Sequence, residues 1–244
     1  MSKKPKYLIA GDKSIFIEFG NKIDREINLT VRKMYHSLLN EKIKGIKELV
    51  PTYHSLVIYY NPLEISYNIL IEKLKDMEEN LSEISLPQPI ITEIPTLYGG
   101  EYGPDLEFVA KYNKLSLEEV IEIHSKPLYY IYMLGFSPGF AYLGEMSPKI
   151  ATPRLERPRL KIPAGSVGIG DKQTGIYSIE SPGGWRLIGR TPINLYSPKS
   201  DNPFLLKSGN YVKFRPIDEK EFDKISREIK KGIFTYKVKL YEGI

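Results

Sequence analysis

Residues Ser14 to Phe19 (SIFIEF) alternate apolar and polar positions with period two, the pattern of a half-buried strand. From about Asp24 to Lys42 the period lengthens. Val31, Met34, Tyr35, Leu38 and Leu39 fall at i, i+3, i+4, i+7 and i+8, which predicts a helix with one apolar face and Asp24 as its N-cap. Ile46 to Val50 and Tyr53 to Tyr60 predict two strands separated by Pro51. After Pro62 a second helix places Ile69, Leu70, Leu74, Met77 and Leu81 on one side. This order predicts a small α+β sandwich with helices on one face of an antiparallel sheet. Ser82 to Pro89 (SEISLPQP) has two prolines and few bulky residues, so it is expected to link two domains, 1–85 and 90–244.

Beyond the linker, Pro104 and Asp105 are placed to open a short helix through Lys111. Ser116 and Glu119 form a capping box ahead of Val120, Ile121 and His124. Short apolar runs broken by Gly and Pro follow: YYIYMLGF, LKIPAGSVGIG, TGIYSIES, WRLIGRTPINLYS and YVKFRPI. Such spacing without intervening helical periods predicts a β-barrel or sandwich. A helix from about Asp218 to Lys231 and a strand from Thr235 to Leu240 are expected to close the chain.

Composition narrows the chemistry. At 41% hydrophobic and 27% charged residues, the 244-residue chain falls in the globular range rather than the disordered or fibrous one. No apolar run nears the roughly 20 residues that span a bilayer, and the basic N-terminus soon meets Gly11 and Asp12; a cytoplasmic protein without membrane association is expected. With no cysteine there is no disulfide, thiol nucleophile or thiolate metal site. Three histidines, His36, His54 and His124, leave little for a histidine-rich one, and no metal ligand is assigned. The net charge of +5 is too mild to argue for nucleic acid. Its distribution is more telling: residues 127–198 carry eight Lys and Arg against four acids, with ten of the nineteen glycines and nine of the eighteen prolines. A rigid, arginine-weighted surface suits a small anion, because guanidinium makes planar two-point contacts with carboxylate or phosphate; an ordinary basic loop face has the same composition.

Several motifs fail on physical grounds. Gly135-Phe-Ser137-Pro138-Gly139 matches a nucleophile elbow, but Pro138 has no N–H to lend to an oxyanion and every histidine precedes Ser137. Gly165-Ser-Val-Gly168-Ile-Gly170 lacks both the spacing and the following helix of a dinucleotide fingerprint, and no Walker sequence exists. Those glycines instead permit close backbone approach in a small barrel. His124, near a helix end, either exchanges protons with a substrate or caps late helix carbonyls, whereas His36 and His54 read as structural. Trp185, beside Gly183-Gly184, reads as a core or barrel-plug residue.

Seven ordered segments resemble the KipI family, the group that includes the B subunit of 5-oxoprolinase and allophanate hydrolase subunit 1: YGGEYGPDL (98–106), His124-Ser125, LGFSPGFAYLG (134–144), PRLERPR (153–159), IPAGSVGIG (162–170), QTGIY (173–177) and SPGGWRLIGRTP (181–192). DKSIFIEFG and VPTYHSLVIYYNP extend the likeness over nearly the whole chain. Two departures from the family pattern, Gly170-Asp171-Lys172-Gln173 and Tyr177-Ser178, flank the expected pocket. The resemblance implies an N-terminal α/β sandwich domain followed by a cyclophilin-like β-barrel domain. It implies a 5-oxoprolinase component that works with the C and A subunits, the first like allophanate hydrolase subunit 2 and the second lactam-utilisation-like. Together they would open 5-oxoproline to glutamate at the expense of ATP, with Mg shared with a partner. The alternatives within the family are an inhibitor of a sensor histidine kinase, with the barrel cleft gripping a helix or proline-containing segment, and allophanate hydrolase subunit 1. On this footing His124 and Arg159 are the expected catalytic residues. Arg154, Arg157 and Arg190 are expected to contact the small acid, with Gly165, Ser166, Gln173 and Gly175 at the pocket rim.

Overall fold

The computed structural model describes residues 4–243 and divides into two compact units, Met1–Pro87 and Gln88–Ile244. The first contains strands β1 (Lys6–Ile9), β2 (Ser14–Glu18), β3 (Ile46–Pro51) and β4 (Ser55–Tyr60) in the antiparallel order β1-β2-β4-β3, with helices α1 (Arg25–Glu41) and α2 (Tyr67–Glu79). Alternation carries the packing: Ile15 pairs with Ile58 and Ile17 with Leu56, and all four side chains are buried. Val31, Met34, Leu38, Leu70 and Leu74 meet them from the helices. Asp24 caps α1 as expected, its carboxylate accepting from the N–H groups of Glu26 and Ile27. Two expected core positions are not core. Leu39 and Ile69 are exposed, because each lies at the edge of its helix stripe, where a period of 3.6 rotates it off the sheet.

The second unit is a closed barrel. Its strands are β5 (Ile90–Tyr98), β6 (Tyr129–Leu134), β7 (Ala141–Leu143), β9 (Ser166–Gly170), β10 (Gln173–Ile176), β12 (Arg186–Arg190) and β13 (Tyr211–Pro216). They run β12-β9-β10-β7-β6-β13-β5, and β5 pairs back onto β12. Among the described residues, only β13–β5 is parallel. Strand β5, absent from the sequence reading, has Pro95 near its middle. One edge pairs first with β14 (Val238–Leu240) through Ile90–Thr92 and then with β12 through Leu97 and Tyr98, so Pro95 falls in the gap between partners, where no ladder N–H is needed. The expected last strand is thus confined to 238–240. Helices α3 (Leu106–Asn113) and α4 (Leu117–Ser125) send Leu106, Val109, Ala110 and Val120 into the barrel core; α5 (Glu219–Lys230) starts at its cap, Asp218. The two-stranded pair β8 (Arg159–Ile162) and β11 (Ser181–Gly183) stands outside the barrel and frames a cleft.

Candidate functional site

The cleft, of about 370 Å³, opens on the barrel unit where three of the family-like segments meet: the loop after β6, residues 153–159, and the β11–β12 turn. Its wall is aromatic. Phe140 is the hub, with Phe136, Tyr142, Tyr177 and Trp185 edge-on around it at ring separations of 5.1–5.7 Å. Phe140, Tyr177 and Trp185 join Ile162 and Leu187 in a cluster separate from the barrel core, with Tyr142 packed against it. Glycines seat the tryptophan. Gly168 and Gly170 lie two apart on β9, Gly175 pairs with Gly168 across the hairpin, and an added Cβ at these positions would come within 3.2, 2.6 and 3.0 Å of Trp185. One face of the β9–β10 hairpin is therefore bare backbone, and the indole fills it. At the mouth, Phe136 sits at φ 62° in a three-residue turn closed by the Ser137 N–H on the Gly135 carbonyl (2.7 Å), and the residue is 68% exposed.

Arg154 supplies the charge at this mouth. Its guanidinium carbon lies 5.8 Å from the Trp185 ring centroid, and Nε pairs with Asp171 Oδ2 at 2.9 Å. Asp171 is held in the left-handed region (φ 57°) at the turn of the hairpin. Burial raises the Tyr177 phenol above its usual range, opposed by a backbone hydrogen bond from Trp185 and by the charges of Arg154 and Arg159; burial likewise raises Tyr142, opposed by Arg154.

The other expected residues are not gathered here. Arg159 pairs with Asp105: Nη2 donates to Oδ1 at 2.9 Å, while Nη1 lies 2.9 Å from Oδ2 as a charge contact, with no N–H directed along that line. The Leu187 N–H also donates to that carboxylate, at 2.7 Å. Arg159 therefore ties β8 to α3 and β12. Arg190 Nε donates to the Ala164 carbonyl (3.0 Å), and Arg157 is exposed. Gly165, at φ 82°, would bring a Cβ to 2.2 Å from the Thr191 carbonyl, Ser166 is buried, and Gln173 is half-buried at the hairpin. Of the expected set, Arg154 lines the cleft and Gly175 lies behind its wall, against Trp185 and Phe140. The arginines do not converge: Asp105 holds Arg159 and the Ala164 carbonyl holds Arg190, each outside the cleft lining, while Arg154 pairs with Asp171 at its mouth.

His124 is fully buried. Its Nε2 lies 2.8 Å from Thr174 Oγ1, whose hydroxyl donates to the Gly168 carbonyl (3.0 Å), so Nε2 carries the proton. Nδ1 then accepts from the Tyr98 hydroxyl at 2.7 Å. Burial pushes the ring's pKa down to about 3, so it stays neutral. Neither helix-cap duty nor exchange with solvent fits this placement: the imidazole joins α4, β5 and β10.

The sequence reading missed the aromatic wall; it placed Asp171 in a segment flanking the pocket but not its pairing with Arg154. The signal for Trp185 was the alternation of glycine on β9, which empties one face of a strand and calls for a large ring to fill it.

The family described as carboxyltransferase domain, subdomain C and D, matches residues 5–206. The chain belongs to this family. Relatives named as the B subunit of 5-oxoprolinase come from Bacillus subtilis (strain 168), 45% identical over 228 residues and covering 89% of this chain and 95% of the relative, and from Escherichia coli O157:H7, 40% identical over 216 residues and covering 87% and 96%. A solved structure of a conserved uncharacterized protein from Pyrococcus horikoshii is 53% identical, with coverage of 89% and 100% and a TM-score of 0.53. The urea carboxylase of Kluyveromyces lactis shares the fold with a TM-score of 0.77 at 23% identity; this carboxyltransferase-family chain covers 24% of it.

Neither a three-ligand metal cage nor a helix-opening phosphate loop is formed by the described residues of this chain. Gly165–Gly170 instead enter a strand beneath Trp185.

Proposed function

We propose that this chain is the B subunit of a cytoplasmic, ATP-dependent 5-oxoprolinase, opening 5-oxoproline to glutamate with a partner like allophanate hydrolase subunit 2 and a lactam-utilisation-like partner. The observation that carries the reading is 45% identity across 95% of a relative bearing the 5-oxoprolinase name. The reaction adds water across the lactam C–N bond, releasing an amine and a second carboxylate. Nucleotide and metal are assigned to a site shared with the partners, since the described residues of this chain form neither a phosphate loop nor a three-ligand metal group on their own. Arg154 is the group of this chain that meets the acid; Arg159 and His124 are positioning residues that hold the strands around it. The experiment is coexpression with both partners, followed by measurement of glutamate released in the presence of 5-oxoproline and ATP. Release that requires this chain and both small molecules is expected. An intact three-component complex that releases none, or a histidine kinase as the sole copurifying protein, overturns the assignment.

A further inference from the structure

The cleft beside Trp185 has a lining that mixes a broad aromatic wall with one cation and, among the described residues, no carboxylate. Its volume, about 370 Å³, is that of a small-molecule site and too small for a helix. The single cation is held from the side: Asp171 engages the Nε edge of Arg154, which turns the Nη1–Nη2 end of the planar group into the part that an incoming carboxylate can meet at two points. Asp171 sits at a left-handed position of a two-stranded turn and exchanges backbone hydrogen bonds with Thr152 (2.9 and 3.0 Å), so its main chain is fixed beside Arg154 while the ion pair itself faces solvent.

We propose that this cleft, in the single chain and without partners, binds a small ring-bearing carboxylic acid, its ring against Trp185, Phe140 and Tyr177, its carboxylate on Arg154, and Asp171 acting as the positioning residue for that guanidinium. The inference deepens the 5-oxoprolinase reading and rests on it for the choice of probe.

The chain contains one tryptophan, and it lies in this wall, so its emission reports occupancy directly. The full-length chain, excited where tyrosine does not absorb, is titrated with 5-oxoproline, with its neutral amide, with acetate, and with a short proline-containing peptide. A saturable change with the ring acid is expected, at least about tenfold weaker with the amide and absent with acetate, because one charged two-point contact separates the probes. Arg154→Gln should abolish the preference for acid over amide. Asp171→Asn should weaken acid binding several-fold while leaving the amide curve in place, and Lys172→Ala, which removes a neighbouring charge, should change neither. Melting temperature and ligand-free emission maximum identify any variant whose fold has changed. Equal binding of acid and amide overturns the proposal, as does a response to a proline-containing peptide with none to the acids. Silence with every probe, in a chain whose three-component complex still releases glutamate, overturns the site and leaves the enzyme assignment standing; binding without glutamate release does the reverse.

Discussion

Trp185 shows how one residue's surroundings decide its role. A lone tryptophan beside two glycines reads as a plug, and the side chain is indeed only 7% exposed, yet the face it leaves open is the wall of a cleft. Its position depends on what is absent beneath it. A methyl group at Gly170 would lie 2.6 Å from the indole nitrogen, far inside contact distance, and the rigid bicycle cannot bend away as a flexible chain would. Gly170→Ala is therefore expected to destabilise the barrel unit by about 1–3 kcal/mol and to shift Trp185 emission to longer wavelength as the ring is displaced toward water. Urea denaturation with the emission maximum recorded at each step checks both. Unchanged emission would mean that the glycine face is not the seat of the ring. Of the residues at this site, Arg154 was legible in the sequence as an anion contact, whereas the aromatic wall was not. Nor was the separation into held and available arginines, since that depends on Asp105 and the Ala164 carbonyl, which lie 54 and 26 residues away along the chain.

At the level of elements, local signals served well where they were self-contained. The Ser116–Glu119 capping box is present with both of its hydrogen bonds, and the Asp24 and Asp218 caps are formed. Asp105 is the instructive exception. It occupies the N-cap of α3, but its side chain makes no capping bond. Both oxygens are instead taken by Arg159 and by the Leu187 N–H, and its own N–H donates to the Leu187 carbonyl (2.9 Å). A residue that looks like a helix signal therefore fastens a helix to two strands. Asp105→Ala would leave a mostly covered guanidinium and a buried N–H without their acceptor, and a loss of about 2–4 kcal/mol is expected. Asp105→Asn, which keeps the acceptor for Leu187 but not the charge for Arg159, should lose less. The two midpoints in denaturant separate these cases; equal stability of Asp105→Ala and the parent would show that the tie carries nothing. Strands β1 and β5 escaped the pattern reading for related reasons: β1 is an exposed edge with little alternation, and β5 contains a proline whose harmlessness depends on where two other strands happen to end.

For the molecule as a whole, the buried His124 predicts how stability responds to acid. Its ring is neutral when folded, with a pKa of about 3 set by burial, whereas an unfolded histidine protonates near 6.5. Above pH 6.5 neither state binds the proton and stability is independent of this group. As the pH falls from about 6.5 toward 3, only the unfolded chain takes it up, so stability declines by about 1.4 kcal/mol for each pH unit from this residue alone. Denaturant titrations between pH 7 and 4, followed by Trp185 in the same unit, should show that slope, and His124→Gln should flatten it. A parent curve as flat as the variant's would mean that His124 reaches water. What the linear order of residues determined by itself is the alternation and periodicity of most strands and helices, the caps, the family, and the inventory of cations and glycines, because these rest on interactions within a few positions of the chain. Which arginine remains available, which face of the tryptophan is open and which nitrogen of the histidine holds its proton were decided by barrel closure alone. Those properties belong to pairs of groups far apart in the chain, and only the folded contacts set their distances.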